Sequence, residues 1–79
     1  MVKINGEMYD YASLSITDML AKFNYNPKRV AVEINLEIIP KSEYDNHVLN
    51  DEDSVEVVQF VGGGWLLNYL IYSKIYRKK

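Results

Sequence analysis

The chain places three consecutive glycines directly after an alternating apolar run, in the stretch VEVVQFVGGG at residues 55–64. Val55, Val57 and Val61 fall on the same side of an extended chain, which is typical of a β-strand with one buried face. Glycine loses more conformational freedom on ordering than any other residue, so a run of glycines does not stabilise a fold. The stretch therefore predicts a final strand that leads into a slender, mobile segment, and fifteen further residues follow it.

The first half of the chain predicts a β-hairpin followed by one short helix. Asn5-Gly6, between two alternating segments, is the strongest short signal for a two-residue hairpin turn. Ser15 can cap a helix by accepting a hydrogen bond from the backbone N–H of Asp18. The apolar residues that recur at helical spacing after this cap are Ile16, Met19, Leu20 and Phe23. Pro27 disfavours the helical conformation in the residue before it, so the helix should end near residues 24–26.

The second half predicts two strands, a polar stretch and the last strand. Residues 30–34 alternate, residues 37–39 form a short apolar run, and Pro40 stops that second strand. Residues 41–53 are polar, with anchors expected at Tyr44, Val48 and Leu49. We therefore predict an α+β fold with the β-grasp arrangement, in which a mixed sheet of four to five strands packs on one short helix. The last strand should lie beside the first, in the middle of the sheet.

The composition excludes several classes of function. At 79 residues the chain has room for one small domain, and without cysteine it has no disulfide and no thiolate metal site. His47, the single histidine, lies among polar residues and is expected in a solvated loop. The cluster Asp51-Glu52-Asp53 lacks the spaced oxygen ligands of a calcium loop, so we predict an exposed turn and no metal site. We do not expect enzymatic activity from this chain alone.

The charge is divided unevenly along the chain. Residues 1–64 carry five basic and eleven acidic residues, a formal charge of −6, whereas residues 65–79 carry four basic residues and no acid, a formal charge of +4. An acidic body argues against nucleic-acid binding, because phosphates are neutralised by clustered Lys and Arg. It favours a protein partner with a basic docking face.

The sequence also predicts a cytoplasmic location. The first eleven residues carry charges and a turn where a signal peptide needs an unbroken apolar core. No run approaches the roughly 18 to 20 consecutive apolar residues that cross a bilayer. Binding of the basic, aromatic end to a membrane surface is a less favoured alternative to a loosely docked appendage.

Five segments, in this order, resemble the ThiS family of ubiquitin-like sulfur carriers over residues 1–64. They are MVKINGE, SITDMLAKF, VAVEINLEIIPKSEY, VLNDEDSVEVVQF and the glycine run. The related small subunit of molybdopterin synthase, MoaD, shares the fold and the diglycine, but its N-terminal half is usually longer and richer in arginine. The resemblance to ThiS is therefore the better one, and a carrier for molybdopterin or for another cofactor or amino acid is the alternative within the same class.

The resemblance implies a carrier whose only reactive group is the carboxylate of Gly64. A ThiF-like adenylyltransferase would adenylate this carboxylate with ATP, and a sulfur donor enzyme would convert it to a thiocarboxylate. A ThiG-like thiazole synthase would then receive the sulfur for thiamine biosynthesis. The chain would be a consumed and regenerated co-substrate that binds no cofactor itself, with ATP bound by the activating enzyme. Gly63 would form the slender approach to the reactive end.

The glycines suit this role on physical grounds as well. A terminus that must enter two different enzymes has to pass along a narrow channel in an extended conformation, and residues without a Cβ allow this. Gly62, Gly63 and Gly64 provide such a segment. The alternative is a flexible hinge between the last strand and a following helix.

The extension at residues 65–79 departs from the family, which normally ends at the glycines. An amide-bonded Gly64 has no carboxylate to activate. A processing peptidase can remove the extension, or the extension can be retained, which would make the chain a non-catalytic β-grasp interaction module that binds a protein or a membrane surface. A third account is that the extension is a feature of the gene boundary. Nine of its fifteen residues are large and apolar or aromatic, and its end is basic.

The last strand also predicts a docking surface. Val58 and Phe60 lie on the side of the strand opposite Val55 and Val57, so they should face away from the helix. This apolar pair beside the glycines is a candidate contact for an activating enzyme or a synthase. The alternative is that the extension or a loop covers the pair.

Two turns lack a glycine that the family tends to place there. One is Asn35-Leu36, where the family has Asn-Gly, and the other is the turn at residues 51–53, where the family has Asp-Gly-Asp. Both turns must form without the easy access of glycine to positive φ.

Overall fold

The computed structural model describes residues 1–59. Its strands are β1 (Val2–Ile4), β2 (Glu7–Tyr9), β3 (Val30–Ile34), β4 (Glu37–Ile39) and β5 (Ser54–Gln59), and its helix is α1 (Ile16–Lys22). Two single turns of 3₁₀-helix cover Pro27–Arg29 and Lys41–Glu43. The predicted order of hairpin, helix, two strands, irregular stretch and last strand is confirmed.

The five strands form one mixed sheet in the order β2-β1-β5-β3-β4. β5 runs parallel to β1 and antiparallel to β3, and the two outer pairs are antiparallel hairpins. The last described strand therefore lies beside the first and in the middle of the sheet, which confirms the predicted β-grasp arrangement. The continuation of the last strand to Val61, the domain boundary at residue 64 and the extension at residues 65–79 lie outside the described residues.

Helix α1 begins at the predicted cap. The Ser15 hydroxyl accepts a hydrogen bond from the Asp18 backbone N–H at 3.0 Å, which satisfies one of the free donors of the first turn. The helix ends at Lys22, slightly earlier than Pro27 alone predicts, because Asn24 takes a left-handed conformation with φ of 60°. Phe23 is the C-terminal cap rather than a helical residue.

The core lies between α1 and one face of the sheet. Alternate residues of the strands point to α1, and most of the helical residues predicted for the apolar face are buried among them. The buried apolar residues are Val2, Ile4, Ile16, Met19, Leu20, Val30, Val32, Ile34, Ile39, Tyr44, Leu49, Val55 and Val57.

The polar stretch between β4 and β5 is held against the same side of the sheet as the helix. Tyr44 and Leu49 are buried, as predicted, but the prediction for Val48 is wrong because its side chain is 47 % exposed. Val48 forms an isolated β-bridge with Ser15, and successive residues of an extended segment point to opposite sides. Burial raises the pKa of the Tyr44 hydroxyl, because the ionised form would lose its hydration.

Four aromatic rings extend the core at the edge of the sheet. Tyr9 stacks on Tyr11 with ring centroids 5.1 Å apart, and Phe23 meets Tyr9 edge to face at the same distance. Tyr25 lies beside Phe23 at 5.9 Å. Such pairs stabilise a small domain by about 0.5–1.5 kcal/mol each beyond the apolar area that they bury.

The two turns without the expected glycine form in the left-handed region nevertheless. Asn5 and Gly6 have φ of 49° and 89°, and Asn35 and Leu36 follow the same pattern with 51° and 73°. Glu52 adopts φ of 69° in the turn before β5. Leu36 and Glu52 therefore occupy a conformation that L-residues with a Cβ disfavour.

Within residues 1–59, no helix is long and apolar enough to cross a membrane.

Candidate functional site

The carboxyl end of β5 is the part of the described chain that leads to the glycines. Gln59, the last described residue, pairs with Val30 at the beginning of β3. The predicted site residues Phe60, Gly62, Gly63 and Gly64 lie outside the described residues, so the described site is the platform that presents them. Its geometry is determined by what holds β5 in the centre of the sheet.

Asn5 holds the middle of β5. Its backbone N–H donates to the carbonyl oxygen of Val55 at 2.9 Å. Its side-chain Oδ1 accepts from the Val57 N–H at 2.8 Å, and its Nδ2 donates to the Val57 carbonyl at 3.4 Å. β1 ends at Ile4, so the Asn5 side chain replaces the strand partner that Val57 would otherwise lack on this side. The ladder beside β5 is thereby extended toward the glycines.

Asn35 holds the beginning of β5 in the same way. Its backbone N–H donates to the Ser54 carbonyl at 2.8 Å, and its Oδ1 accepts from the Ser54 N–H at 3.0 Å. Its Nδ2 donates to Oδ1 of Asp53 at 3.0 Å. The other carboxylate oxygen of Asp53 accepts from the Asn50 N–H at 2.8 Å, so the buried charge of Asp53 is stabilised by hydrogen bonds.

Neither anchoring role is predicted by the sequence. Asn5 and Asn35 are the first residues of two similar hairpin turns, and the sequence pattern predicts only a turn at each. The repeated signal was that each turn begins with Asn, whose short side chain tolerates the left-handed conformation and carries both a donor and an acceptor. Local sequence does not indicate which strand the Asn5 side chain reaches, because Asn5 and Val57 are 52 residues apart.

The side of the sheet opposite α1 is called the open face here. It consists of the outward residues of the five strands, namely Lys3, Met8, Ala31, Glu33, Ile38, Ser54, Glu56 and Val58. The prediction that Val58 points away from the core is confirmed, because Val55 and Val57 are buried on the helix side. Val58 is half-buried and stands directly opposite Ala31. Its role as a partner contact stays a prediction.

Two carboxylates stand in the middle of the open face. Glu33 of β3 is directly opposite Glu56 of β5, and on its other side it is opposite Ile38 of β4. Glu33 is only 5 % exposed although it points away from the core, and Glu56 is half-buried. Like charges directly opposite each other disfavour the pairing of the two strands at this position.

The remaining titratable candidates do not form a catalytic centre within residues 1–59. The Met1 amino group pairs with the Asp51 carboxylate, and this contact raises the pKa of the amino group and lowers the pKa of Asp51. Both groups are exposed. His47 is half-buried, and its backbone bonds to Ile16 and Glu43. No group of three or more His, Asp or Glu side chains in this part of the chain is arranged to hold a metal ion.

Comparison with known proteins agrees with this geometry. A family model described as the ThiS family matches residues 2–64. The sulfur carrier protein ThiS of Bacillus subtilis is 41% identical over 66 residues, which cover 81% of this chain and 100% of that protein. A crystal structure of the thiamine biosynthesis protein ThiS from Geobacter metallireducens superimposes with a TM-score of 0.65 at 33% identity, covering 80% of this chain and 97% of that one.

One relative is much longer than this chain. The thiazole synthase of Paramagnetospirillum magneticum is 45% identical over 62 residues, which cover 77% of this chain but only 19% of that protein. The chain therefore spans about a fifth of the length of this curated relative, and the similarity is to one segment of it.

Proposed function

The chain belongs to the ThiS family of sulfur carrier proteins, which serve as protein co-substrates rather than catalysts, and from this membership we propose that its Gly64 carboxylate carries sulfur. Removal of residues 65–79 would expose the carboxylate. An adenylyltransferase of the ThiF kind would join it to AMP from ATP with release of pyrophosphate, and hydrosulfide delivered by a donor enzyme would displace AMP to leave a thiocarboxylate. The sulfur would then be used for thiazole formation in thiamine biosynthesis.

The observation that carries this proposal is where the family match ends. The matched region stops at Gly64, the third glycine, and the extension lies beyond it. The described fold supports the same assignment, because β5 leads toward that point from the middle of the sheet and is held by asparagine side chains at its first residue, Ser54, and at Val57. A rigid strand followed by a slender backbone is what delivery of a terminus into another enzyme requires.

A thiazole synthase is the proposed recipient. The similarity to a segment of the Paramagnetospirillum magneticum thiazole synthase supports this choice, because there a carrier-like segment and a protein of that name share one polypeptide. Other cofactor or amino-acid pathways are the alternative within the class. We also propose a cytoplasmic location, where the activating enzyme and ATP would be available.

The open face is the proposed contact for the activating enzyme. Val58 and the adjoining Phe60 would supply the apolar part, and the acidic body would attract a basic docking surface. The adenylyltransferase would bind ATP, so no nucleotide site is needed in this chain.

Intact mass of the protein isolated from its native host tests the proposal most directly. We expect a species that ends at Gly64, and a fraction of it with one oxygen replaced by sulfur. A population that always retains residues 65–79 would contradict the carrier function. It would favour the second candidate, a β-grasp interaction module whose basic, aromatic end binds a partner, for which the extension itself is the supporting feature.

A reconstituted reaction tests the role of the glycines. A chain of residues 1–64 should form the acyl-adenylate with an activating enzyme and ATP, measured as pyrophosphate release. Gly64→Ala should slow this step by about tenfold or more, because a Cβ obstructs a channel built for bare backbone. Ala21→Gly on the exposed side of α1 is the matched control for the change of a single methyl group. Undiminished adenylation of the Gly64→Ala chain would show that this step does not require a residue without a Cβ at position 64.

A further inference from the structure

We propose that Asn5 is a site of spontaneous deamidation and that the hydrogen bonds of its side chain to Val57 control how fast it reacts. The reaction uses water as its co-reactant and converts the amide that holds β5 into a carboxylate. The site and its protection are properties of residues within the described part of the chain, so neither depends on the proposed sulfur chemistry.

The Asn5-Gly6 turn combines the features that favour this reaction. Asparagine is a labile residue, and attack on its side-chain carbon by the next backbone nitrogen is least hindered when the next residue has no Cβ. Asn5 and Gly6 are both exposed. Within residues 1–59, no atom other than those of its chain neighbours lies within 4 Å of the position that a Cβ on Gly6 would occupy. Water therefore has access to this turn.

The bond changes are those of an intramolecular substitution followed by hydrolysis. The Gly6 nitrogen forms a bond to Cγ of Asn5, the bond from Cγ to Nδ2 breaks, and the Gly6 amide proton leaves with the side-chain nitrogen as ammonia. Water then opens the resulting cyclic imide. Opening at Cγ gives aspartate, and opening at the main-chain carbonyl gives isoaspartate, in which the chain runs through the former side chain. No group is oxidised or reduced.

The fold restrains the first of these steps. The Oδ1 of Asn5 accepts from the Val57 N–H at 2.8 Å, and its Nδ2 donates to the Val57 carbonyl at 3.4 Å. Ring closure moves the amide carbon onto the Gly6 nitrogen, so both bonds have to be given up first. β1 and β2 have three residues each, and β2 is at the edge of the sheet, so local opening of this hairpin is the expected route to the reactive conformation.

The second asparagine anchor provides a comparison within the same chain. Asn35 has nearly the same φ as Asn5, 51° against 49°, and its Oδ1 likewise accepts from a β5 N–H, that of Ser54. It is followed by Leu36 instead of glycine, and the Cβ of Leu36 hinders attack by its nitrogen. The leucine that strains the second turn therefore also protects it, and the two turns should deamidate at different rates.

Deamidation would weaken the hold on β5. An ionised carboxylate only accepts hydrogen bonds, so one oxygen can keep the bond from the Val57 N–H while the other lies against the Val57 carbonyl, where the amide had donated. Isoaspartate also adds a methylene group to the main chain of a two-residue turn.

The weakened position lies toward the glycines. On the side of β5 that faces β1, the described hydrogen bonds follow one another from Asp53 through Val55 to Val57, and those of Asn5 to Val57 are the last in this order. If the chain is a carrier that is regenerated after each use, which rests on the proposed function, deamidated molecules would present the reactive end from a less firmly held strand.

Mass spectrometry of the full chain tests the site. Cleavage after lysine and arginine places Asn5 in a peptide of residues 4–22 and Asn35 in a peptide of residues 30–41, each as the single asparagine. The chain would be incubated in mildly alkaline buffer, either folded or in guanidinium chloride. The replacement of the amide nitrogen by oxygen would be followed in both peptides, with an isoaspartyl methyltransferase to distinguish isoaspartate from aspartate.

In guanidinium chloride we expect Asn5 to react about tenfold or more faster than Asn35, and Leu36→Gly should bring the Asn35 rate to that of Asn5. In the folded chain Asn5 should react about tenfold or more slowly than in the denatured chain, because only the opened turn reacts. Equal rates at the two asparagines in the denatured chain would overturn the assignment of the site. Equal rates at Asn5 in the folded and denatured chains would overturn the protective role of Val57.

The consequence for β5 is tested by Asn5→Asp. Asn46→Asp, at an exposed position between β4 and β5, is the control for the added charge. Amide hydrogen exchange at Val57 should be about tenfold or more faster in Asn5→Asp and unchanged in Asn46→Asp. Unchanged exchange in Asn5→Asp would overturn the loosening of β5. Neither measurement uses an activating enzyme, so absence of sulfur transfer would remove the carrier function without changing these results, and the two proposals fail separately.

Discussion

At the scale of single residues, two asparagines determine how β5 is held. Asn5 and Asn35 each adopt φ near 50° in a hairpin turn, and each directs its side-chain amide to the backbone of β5. The left-handed conformation turns the side chain toward the strand, so the same backbone conformation forms the turn and positions the amide that holds β5. Asn is suited to both tasks, because it tolerates this conformation and offers a donor and an acceptor together.

Replacing Asn5 separates these two tasks. Asn5→Ala removes the side-chain hydrogen bonds to Val57. It also places an L-residue at positive φ without the side-chain amide that stabilises Asn in this conformation. We expect it to lower the free energy of unfolding by about 2–3 kcal/mol. Asn5→Gly keeps the easy turn and loses only the side-chain bonds, so its cost should be about 1 kcal/mol. Urea denaturation measures both, and equal losses for the two variants would show that the side chain does not anchor β5.

At the scale of elements, the β3–β4 hairpin is under backbone strain. Its turn places Leu36 at φ of 73°, and the side chain of Leu36 is 55 % exposed. Little packing therefore compensates a conformation that costs an L-residue about 1–2 kcal/mol. The corresponding position of the β1–β2 hairpin is Gly6, which accepts φ of 89° without such a cost.

Leu36→Gly should therefore stabilise the protein. Relief of the strain is partly offset by the greater freedom of glycine in the unfolded chain, which leaves a net gain of about 0.5–1 kcal/mol. Leu36→Ala is the matched control, because it shortens the side chain but keeps the Cβ, and it should not stabilise. Thermal unfolding of the three chains distinguishes the outcomes, and a Leu36→Gly chain that melts below the parent would show that the turn is not strained.

At the scale of the whole molecule, the two faces of the sheet have separate tasks. The helix side holds the core, and the open face is the proposed docking surface. Neighbouring residues of β5 lie on opposite faces of the sheet. Val57 is 8 % exposed on the core side, and Val58 is half-buried on the open face. Replacing each of these two residues by alanine therefore separates the contribution of the core side to stability from the contribution of the open face to recognition.

Val57→Ala and Val58→Ala should have opposite effects in a chain of residues 1–64. Val57→Ala leaves a space in the core and should cost about 2 kcal/mol of unfolding free energy, with little change in the affinity of the remaining folded protein for an activating enzyme. Val58→Ala should leave stability within about 0.5 kcal/mol and weaken that affinity about fivefold. Denaturation measures the effect on stability, and titration calorimetry measures the effect on affinity. Unchanged affinity of the Val58→Ala chain would show that Val58 does not contribute to recognition by the activating enzyme.

Much of this protein was predictable from local sequence patterns. The hairpin at Asn5-Gly6, the cap at Ser15, the helical spacing that follows it and the alternation of β5 are all governed by neighbours a few residues apart. The side on which Val58 lies follows from the same alternation. Together with the resemblance over residues 1–64, these patterns were sufficient for the element order and the β-grasp arrangement.

Tertiary structure alone decided the features that depend on distant contacts. The hydrogen bonds of Asn5 to Val57 join residues 52 positions apart, and the burial of Glu33 depends on which strands lie beside β3. Spacing along a chain determines which side of an element a residue occupies, but not which distant backbone it reaches. That choice is made only when the sheet is assembled, because pairing energy comes from strands that are remote in sequence.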